Sequence, residues 1–217
     1  MISDEMKHYI EELVPERTPE VLEMEQQARE GNVPIMDLIG MEALLQVIRL
    51  HKPKKILEIG AAIGYSGIRM IQAMPESNLV TVERDPERYS QAVDNIAKVG
   101  MQKSITILEG DALELTDTIR AHGPYDFIFI DAAKGQYKRF FQEYEKMLVP
   151  EGVIVSDNVL FRGFVAKTDD QIESKRFRKL TEKIRGYNEF LYEQSHFITS
   201  ILPVGDGMAI SILKPKE

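Results

Sequence analysis

The 217-residue sequence contains no cysteine. That absence excludes a disulfide framework, a thiolate zinc site, a cysteine nucleophile and an iron–sulfur cluster. Four histidines are present, His8, His51, His122 and His196, but they show no metal-ligand spacing and are assigned no chemistry. Long hydrophobic runs are missing too. Phe127-Ile128-Phe129-Ile130 is far short of the roughly 20 apolar residues that span a bilayer, so no membrane partner is expected. The N-terminus carries Asp4 and Glu5 and no apolar core, which argues against a secretory signal and for a cytoplasmic location.

The composition, 43% hydrophobic and 29% charged, is that of a globular chain. Its length fits one domain of roughly 100–200 residues with a modest appendage. We expect a single domain over 1–217, with a helical part over 1–50 and a core over 54–214. The formal net charge is −8, which speaks against a general nucleic-acid binder and against DNA as a partner. The charge is uneven, however. Residues 162–185 hold Arg162, Lys167, Lys175, Arg176, Arg178, Lys179, Lys183 and Arg185 against Asp169, Asp170, Glu173 and Glu182. Such a segment is either a solvated helix face or a docking surface, and its distance from an active site decides which.

Met41, Leu44, Leu45 and Ile48 follow the i, i+3, i+4, i+7 spacing of an amphipathic helix, after the breaker Gly31-Asn32-Val33-Pro34. From Lys55 the rhythm changes to short apolar runs alternating with helices. Strands are expected at 56–59, 79–83, 105–109, 127–131, 153–157, 197–202 and 208–213. Helices are expected at 65–73, 86–99, 112–120, 137–147 and about 170–193. Successive βα units imply a mostly parallel, seven-stranded sheet with helices on both faces. The Pro203-Val204-Gly205-Asp206-Gly207 connection is hairpin-short, so the last strand should run antiparallel. This is an α/β, Rossmann-like architecture with extra N-terminal helices.

Open parallel sheets bind ligands beyond the carboxyl ends of their strands. After the first strand comes Glu58-Ile59-Gly60-Ala61-Ala62-Ile63-Gly64-Tyr65-Ser66. Gly60 permits a tight turn, and Gly64 a close helix start. Ala62 stands where a dinucleotide-binding loop has its second glycine, which tilts the reading toward an adenosyl ligand without a pyrophosphate. Glu83 ends the second strand, where a carboxylate can accept from ribose hydroxyls. Asp111-Ala112 follows the third, near an adenine edge. Each feature alone also serves as a turn or a helix cap. Together they resemble the class I S-adenosylmethionine-dependent methyltransferases. The candidate cofactor set is Glu58, Gly60, Tyr65, Ser66, Glu83, Asp111, Ala112 and Asp131.

The fourth and fifth strands end in Asp131-Ala132-Ala133-Lys134 and Asp157-Asn158. If those strands are neighbours, Asp131, Asp157 and Asn158 offer two carboxylates and an amide oxygen, a donor set for magnesium or another hard divalent cation. Asp131-Ala132-Ala133-Lys134-x-x-Tyr137 with Asp157-Asn158 resembles the metal-dependent O-methyltransferases of the catechol and caffeoyl-coenzyme A type. That resemblance implies a metal holding two adjacent substrate oxygens, with Lys134 as a candidate base beside Asp131. Lys134 also reads as an ordinary surface lysine.

Val33-Pro34-Ile35-Met36, Gly40-Met41-Glu42, Asp131-Ala132-Ala133-Lys134-Gly135-Gln136-Tyr137 and Asp157-Asn158-Val159-Leu160-Phe161 are similar to the bacterial tRNA 5-hydroxyuridine methyltransferases. The resemblance implies 5-methoxyuridine formation at the anticodon wobble position. It also implies cofactor contacts from Met36, Ser66, Glu83, Asp111 and Asp131. Met36 is promoted by that resemblance alone. The partner would be a tRNA anticodon stem-loop, with Arg162, Lys175, Arg176, Arg178 and Lys179 as RNA contacts. Two readings stand beside it: methylation of a small catechol or hydroxycinnamoyl-coenzyme A ester, and a non-catalytic adenosyl-binding protein. A symmetric homodimer is the commonest assembly for such a chain.

Overall fold

A computed structural model describes residues 3–215. The expected strands form as β1 (Lys55–Ile59), β2 (Asn78–Glu83), β3 (Ile105–Glu109), β4 (Tyr125–Ile130), β5 (Leu148–Ser156), β6 (Phe197–Leu202) and β7 (Met208–Leu213). They make one seven-stranded sheet in the order β3-β2-β1-β4-β5-β7-β6. The first five strands are parallel, and β7 lies antiparallel between β5 and β6. The chain steps outward from β1 to β3 and then returns to β4. The connections leaving β1 and β4 therefore diverge, opening a crevice at the carboxyl edge.

The helices are α1 (Asp4–Leu13), α2 (Pro19–Glu30), α3 (Leu38–His51), α4 (Tyr65–Ala73), α5 (Pro86–Lys98), α6 (Thr116–His122), α7 (Tyr137–Tyr144) and α8 (Lys175–Glu193). Alternation along the strands divides the core. Ile56, Phe127, Phe129 and Val155 pack against Met41, Leu44 and Ile48 of α3 and Ile68 of α4. Leu57, Ile128, Ile130 and Ile154 face Ile119 of α6, Phe141 of α7 and Tyr187 of α8. Strands covered on both faces should be largely apolar, and the buried polar positions of the inner strands are Glu58, Thr81, Glu83, Ser156 and Ser211. Among the described residues no helix is long and apolar enough to cross a membrane.

Several boundaries move for local reasons. The helix expected from 112 starts at Thr116, because Asp111 first closes a turn whose carboxylate accepts from the Leu113 N–H at 2.9 Å. The helix expected near 170 starts at Lys175, capped by Ser174, with a short 3₁₀ turn at Asp169–Gln171 before it. α7 stops at Tyr144 and tightens into a 3₁₀ turn over Glu145–Met147. β4 ends one residue early, leaving Asp131 just beyond the sheet. Buried tyrosines then pin these segments: the Tyr137 hydroxyl donates to Asp157 O at 3.0 Å, and the Tyr144 hydroxyl to Ala112 O at 2.5 Å.

Candidate active site

A cavity of about 730 Å³ lies at the carboxyl edge of the sheet, a size typical of small-molecule sites. Its wall brings together Met36, Gly60, Tyr65, Ser66, Glu83, Asp111, Ala112, Asp131, Lys134, Asp157, Asn158 and Arg162.

Glu58 is the exception in the expected cofactor set. It has no exposed surface and is not on the wall. Its carboxyl accepts from the Ser66 hydroxyl at 2.5 Å and the Thr81 hydroxyl at 2.6 Å. It therefore acts behind the wall, fixing Ser66. Burial pushes its pKa up to about 7, against the lowering effect of the two hydroxyl donors.

The loop after β1 is shaped by contacts with the protein itself. A Cβ on Gly60 would sit 2.1 Å from Asp131 O, so this glycine lets the ends of β1 and β4 close together. Ala62 takes a left-handed conformation, φ 46°, uncommon for a residue with a Cβ. Its N–H donates to Glu83 Oε2 at 2.8 Å, and the Asp85 N–H to Glu83 Oε1 at 2.9 Å. Glu83 thus ties the first loop to the second while still lining the cavity. On the other wall Tyr65 is locked: its hydroxyl donates to Glu25 at 3.0 Å and accepts from Arg69 at 3.0 Å. Arg17 grips Glu25, and Arg69 pairs with Glu42. Sequence periodicity missed this network, because its members lie on three helices and one connecting turn.

At the ends of β4 and β5, Ile130 and Ser156 are register partners, so Asp131 and Asp157 emerge side by side. Asp157 accepts from the Asn158 N–H and from its side-chain amide, both at 2.7 Å. The Lys134 ammonium donates to Asn158 Oδ1. Burial raises the pKa of both aspartates, and the charge of Asp131 raises that of Asp157 further. Burial lowers that of Lys134, opposed by the surrounding acids. Among the described residues no three His, Cys, Asp or Glu side chains form a metal cluster. Here the donors are two carboxylates and one amide, which fits a hard cation that keeps some ligands for substrate. A half-buried and a buried carboxyl of like charge are also what a cation would stabilise.

The sequence reading also missed Asp37, Gly205 and Asp206 on the wall. The last two were accessible by topology: an antiparallel β7 must begin at the edge where β5 ends. Lys7, Arg84 and Arg88 reach the rim as well. Of the expected RNA contacts, Lys175, Arg176, Arg178 and Lys179 lie off the cavity wall, on the first turns of α8. All but the half-buried Arg178 are exposed.

A family model described as O-methyltransferase matches residues 3–214. The chain is 30% identical to a catechol O-methyltransferase of Niastella koreensis, over 98% of each sequence. A Staphylococcus aureus structure, provisionally assigned as a caffeoyl-CoA O-methyltransferase, superposes with a TM-score of 0.91 at 35% identity. It covers 97% of this chain and 100% of that one. An O-methyltransferase from Bacillus cereus in complex with S-adenosylhomocysteine gives 0.81 at 25% identity, over 95% of this chain and 96% of that one. A cavity at the switch point of a seven-stranded sheet and a match along almost its whole length place the chain in the S-adenosylmethionine-dependent O-methyltransferase family.

Proposed function

We propose that the enzyme methylates the 5-hydroxyl of 5-hydroxyuridine at the tRNA anticodon wobble position, giving 5-methoxyuridine and S-adenosylhomocysteine. The observation that carries this reading is a cavity with an acidic floor, Asp131 and Asp157, and a basic rim that includes Lys7, Arg84, Arg88 and Arg162. The 5-hydroxyl and 4-carbonyl of the base are adjacent oxygens suited to chelation. The rim suits the phosphates around a splayed-out base. When bound, the cofactor supplies an electrophilic methyl, and a divalent cation held by Asp131, Asp157 and Asn158 lowers the pKa of a hydroxyl beside it.

The side chains supply position and proton control. Glu83 presents its carboxylate to ribose hydroxyls, and Ser66 is aimed by Glu58. Lys134 sits where an amine can take the hydroxyl proton, and its lowered pKa increases the neutral fraction that acts as a base. The walls contribute through orientation and exclusion of water.

A small catechol is the second reading, favoured by the near full-length similarity to a catechol O-methyltransferase. The two separate in one experiment: labelled-methyl transfer, with magnesium or chelator, into tRNA carrying unmethylated 5-hydroxyuridine and, in parallel, into catechol. Chelator-sensitive label recovered as 5-methoxyuridine is the expected result. Label in catechol alone would overturn the tRNA reading.

A further inference from the structure

Between β5 and α8 the backbone does something costly. Phe161, Arg162 and Gly163 occupy the left-handed region in succession, with φ of 46°, 52° and 76°. Non-glycine residues persist there only where their surroundings over-determine them, and such positions cluster at functional sites. The surroundings here are explicit. The ring of Phe161 packs against Phe164 at 5.3 Å and Phe177 at 5.7 Å between centroids. Leu160 N–H donates to Asp206 O at 2.9 Å, and the Arg162 N–H to the Asp206 carboxylate. Asn188 of α8 holds Val159 O at 2.8 Å.

The outcome of this turn is the placement of one side chain. Arg162 is the basic residue of 162–185 that reaches the cavity wall. Arg185, by contrast, is consumed internally by Val165 O and Asp169. Among the described residues no hydrogen bond or ion pair engages the Arg162 guanidinium, which leaves its fork of donors to the cavity. Lys134, Asn158 and Asp206 share that wall.

We infer that Arg162, presented by this turn, is the specificity-determining contact to a backbone phosphate next to the reacting nucleotide. The inference rests on the tRNA reading and sharpens it. The floor recognises two adjacent oxygens and cannot tell a catechol from a hydroxylated base; a guanidinium at the rim can, because the nucleotide brings an anion with it and a free catechol does not. The exposed cations of α8 then add long-range attraction without selecting the reacting residue.

The test compares an anticodon stem-loop RNA containing one 5-hydroxyuridine with the free 5-hydroxyuridine nucleoside, which has no phosphate. Arg162→Gly suits the left-handed backbone and keeps folding out of question, and Arg162→Lys keeps the charge but not the fork. For Arg162→Gly the ratio of kcat/KM for stem-loop over nucleoside falls about 10- to 100-fold, as expected for one lost charge-assisted hydrogen bond. The salt dependence of stem-loop binding becomes shallower by about one unit in log–log slope. Arg162→Lys restores the salt slope and only part of the ratio. An unchanged ratio, or equal losses on both substrates, would overturn the inference while leaving the tRNA reading in place. Wild-type protein that labels catechol but never the stem-loop would remove both, and that is visible before any substitution is made.

Discussion

At the ends of β2 and β3, Glu83 and Asp111 give their oxygens to backbone N–H groups of Ala62, Asp85 and Leu113. At the ends of β4 and β5, the half-buried Asp131 and the buried Asp157 stand side by side, and their pKa values are driven upward. All four are carboxylates, and Asp157 too accepts hydrogen bonds, from the Asn158 N–H and side-chain amide, yet burial beside Asp131 still raises its pKa. The first half is finished by the protein and orders its own loops, as a surface must that holds a large cofactor by shape. The second half concentrates charge that the fold does not neutralise beyond Lys134, and that arrangement favours chemistry over stability.

Three substitutions probe this contrast, in falling order of effect. Asp157→Asn should reduce methyl transfer by about 100-fold or more, since even partners that only orient metal ligands are worth 10–100-fold. It should hardly alter cofactor affinity in calorimetry, and it should raise the melting temperature in chelator by removing one of the two like charges. Parallel losses of cofactor binding and transfer would merge the two halves into one site and break the comparison.

Glu58→Gln probes the carboxyl behind the wall. Because its folded pKa is raised from 4.5 to about 7, the folded state binds more protons than the unfolded state between those values. This group's contribution is therefore fully favourable below about pH 4.5 and fades as pH rises through 7, by at most about 3 kcal/mol. Denaturant titrations at a series of pH values should show a shallower decline for Glu58→Gln than for wild type; identical slopes would contradict the assignment. Ala62→Gly has the smallest effect. Relief of the left-handed strain should add about 1 kcal/mol of stability, measured as a higher denaturation midpoint, and a loss would mean that the Ala62 methyl is needed where it stands.

Much of this was legible in the chain. Alternating apolar runs gave the seven strands, and Pro203–Gly207 gave the antiparallel end, because both signals are local. The carboxyl-edge rule then located Glu83, Asp111, Asp131, Asp157 and Asn158 from strand ends alone, and all five are on the wall. The reading erred on Glu58, since the side chain points either way from a strand and the pleat turned it into the core. Gly60 does line the cavity, and its missing Cβ makes room for the backbone of Asp131. Lys7 and the Arg17–Glu25–Tyr65–Arg69–Glu42 network were invisible, because helix docking onto the sheet has no one-dimensional signature. The left-handed turn at Phe161–Gly163 was hidden for a similar reason: Phe and Arg carry no propensity for it, and only tertiary contacts impose it.

The most direct test is a calorimetric titration of magnesium into wild-type protein and into Asp157→Asn, run in two buffers of different ionisation heat. The account predicts one site in the wild type, with protons released as the aspartates ionise, and a large loss of affinity in the variant. Equal binding in both proteins, or methyl transfer that proceeds undiminished in chelator, would contradict the claim that the ends of β4 and β5 form a divalent-cation site.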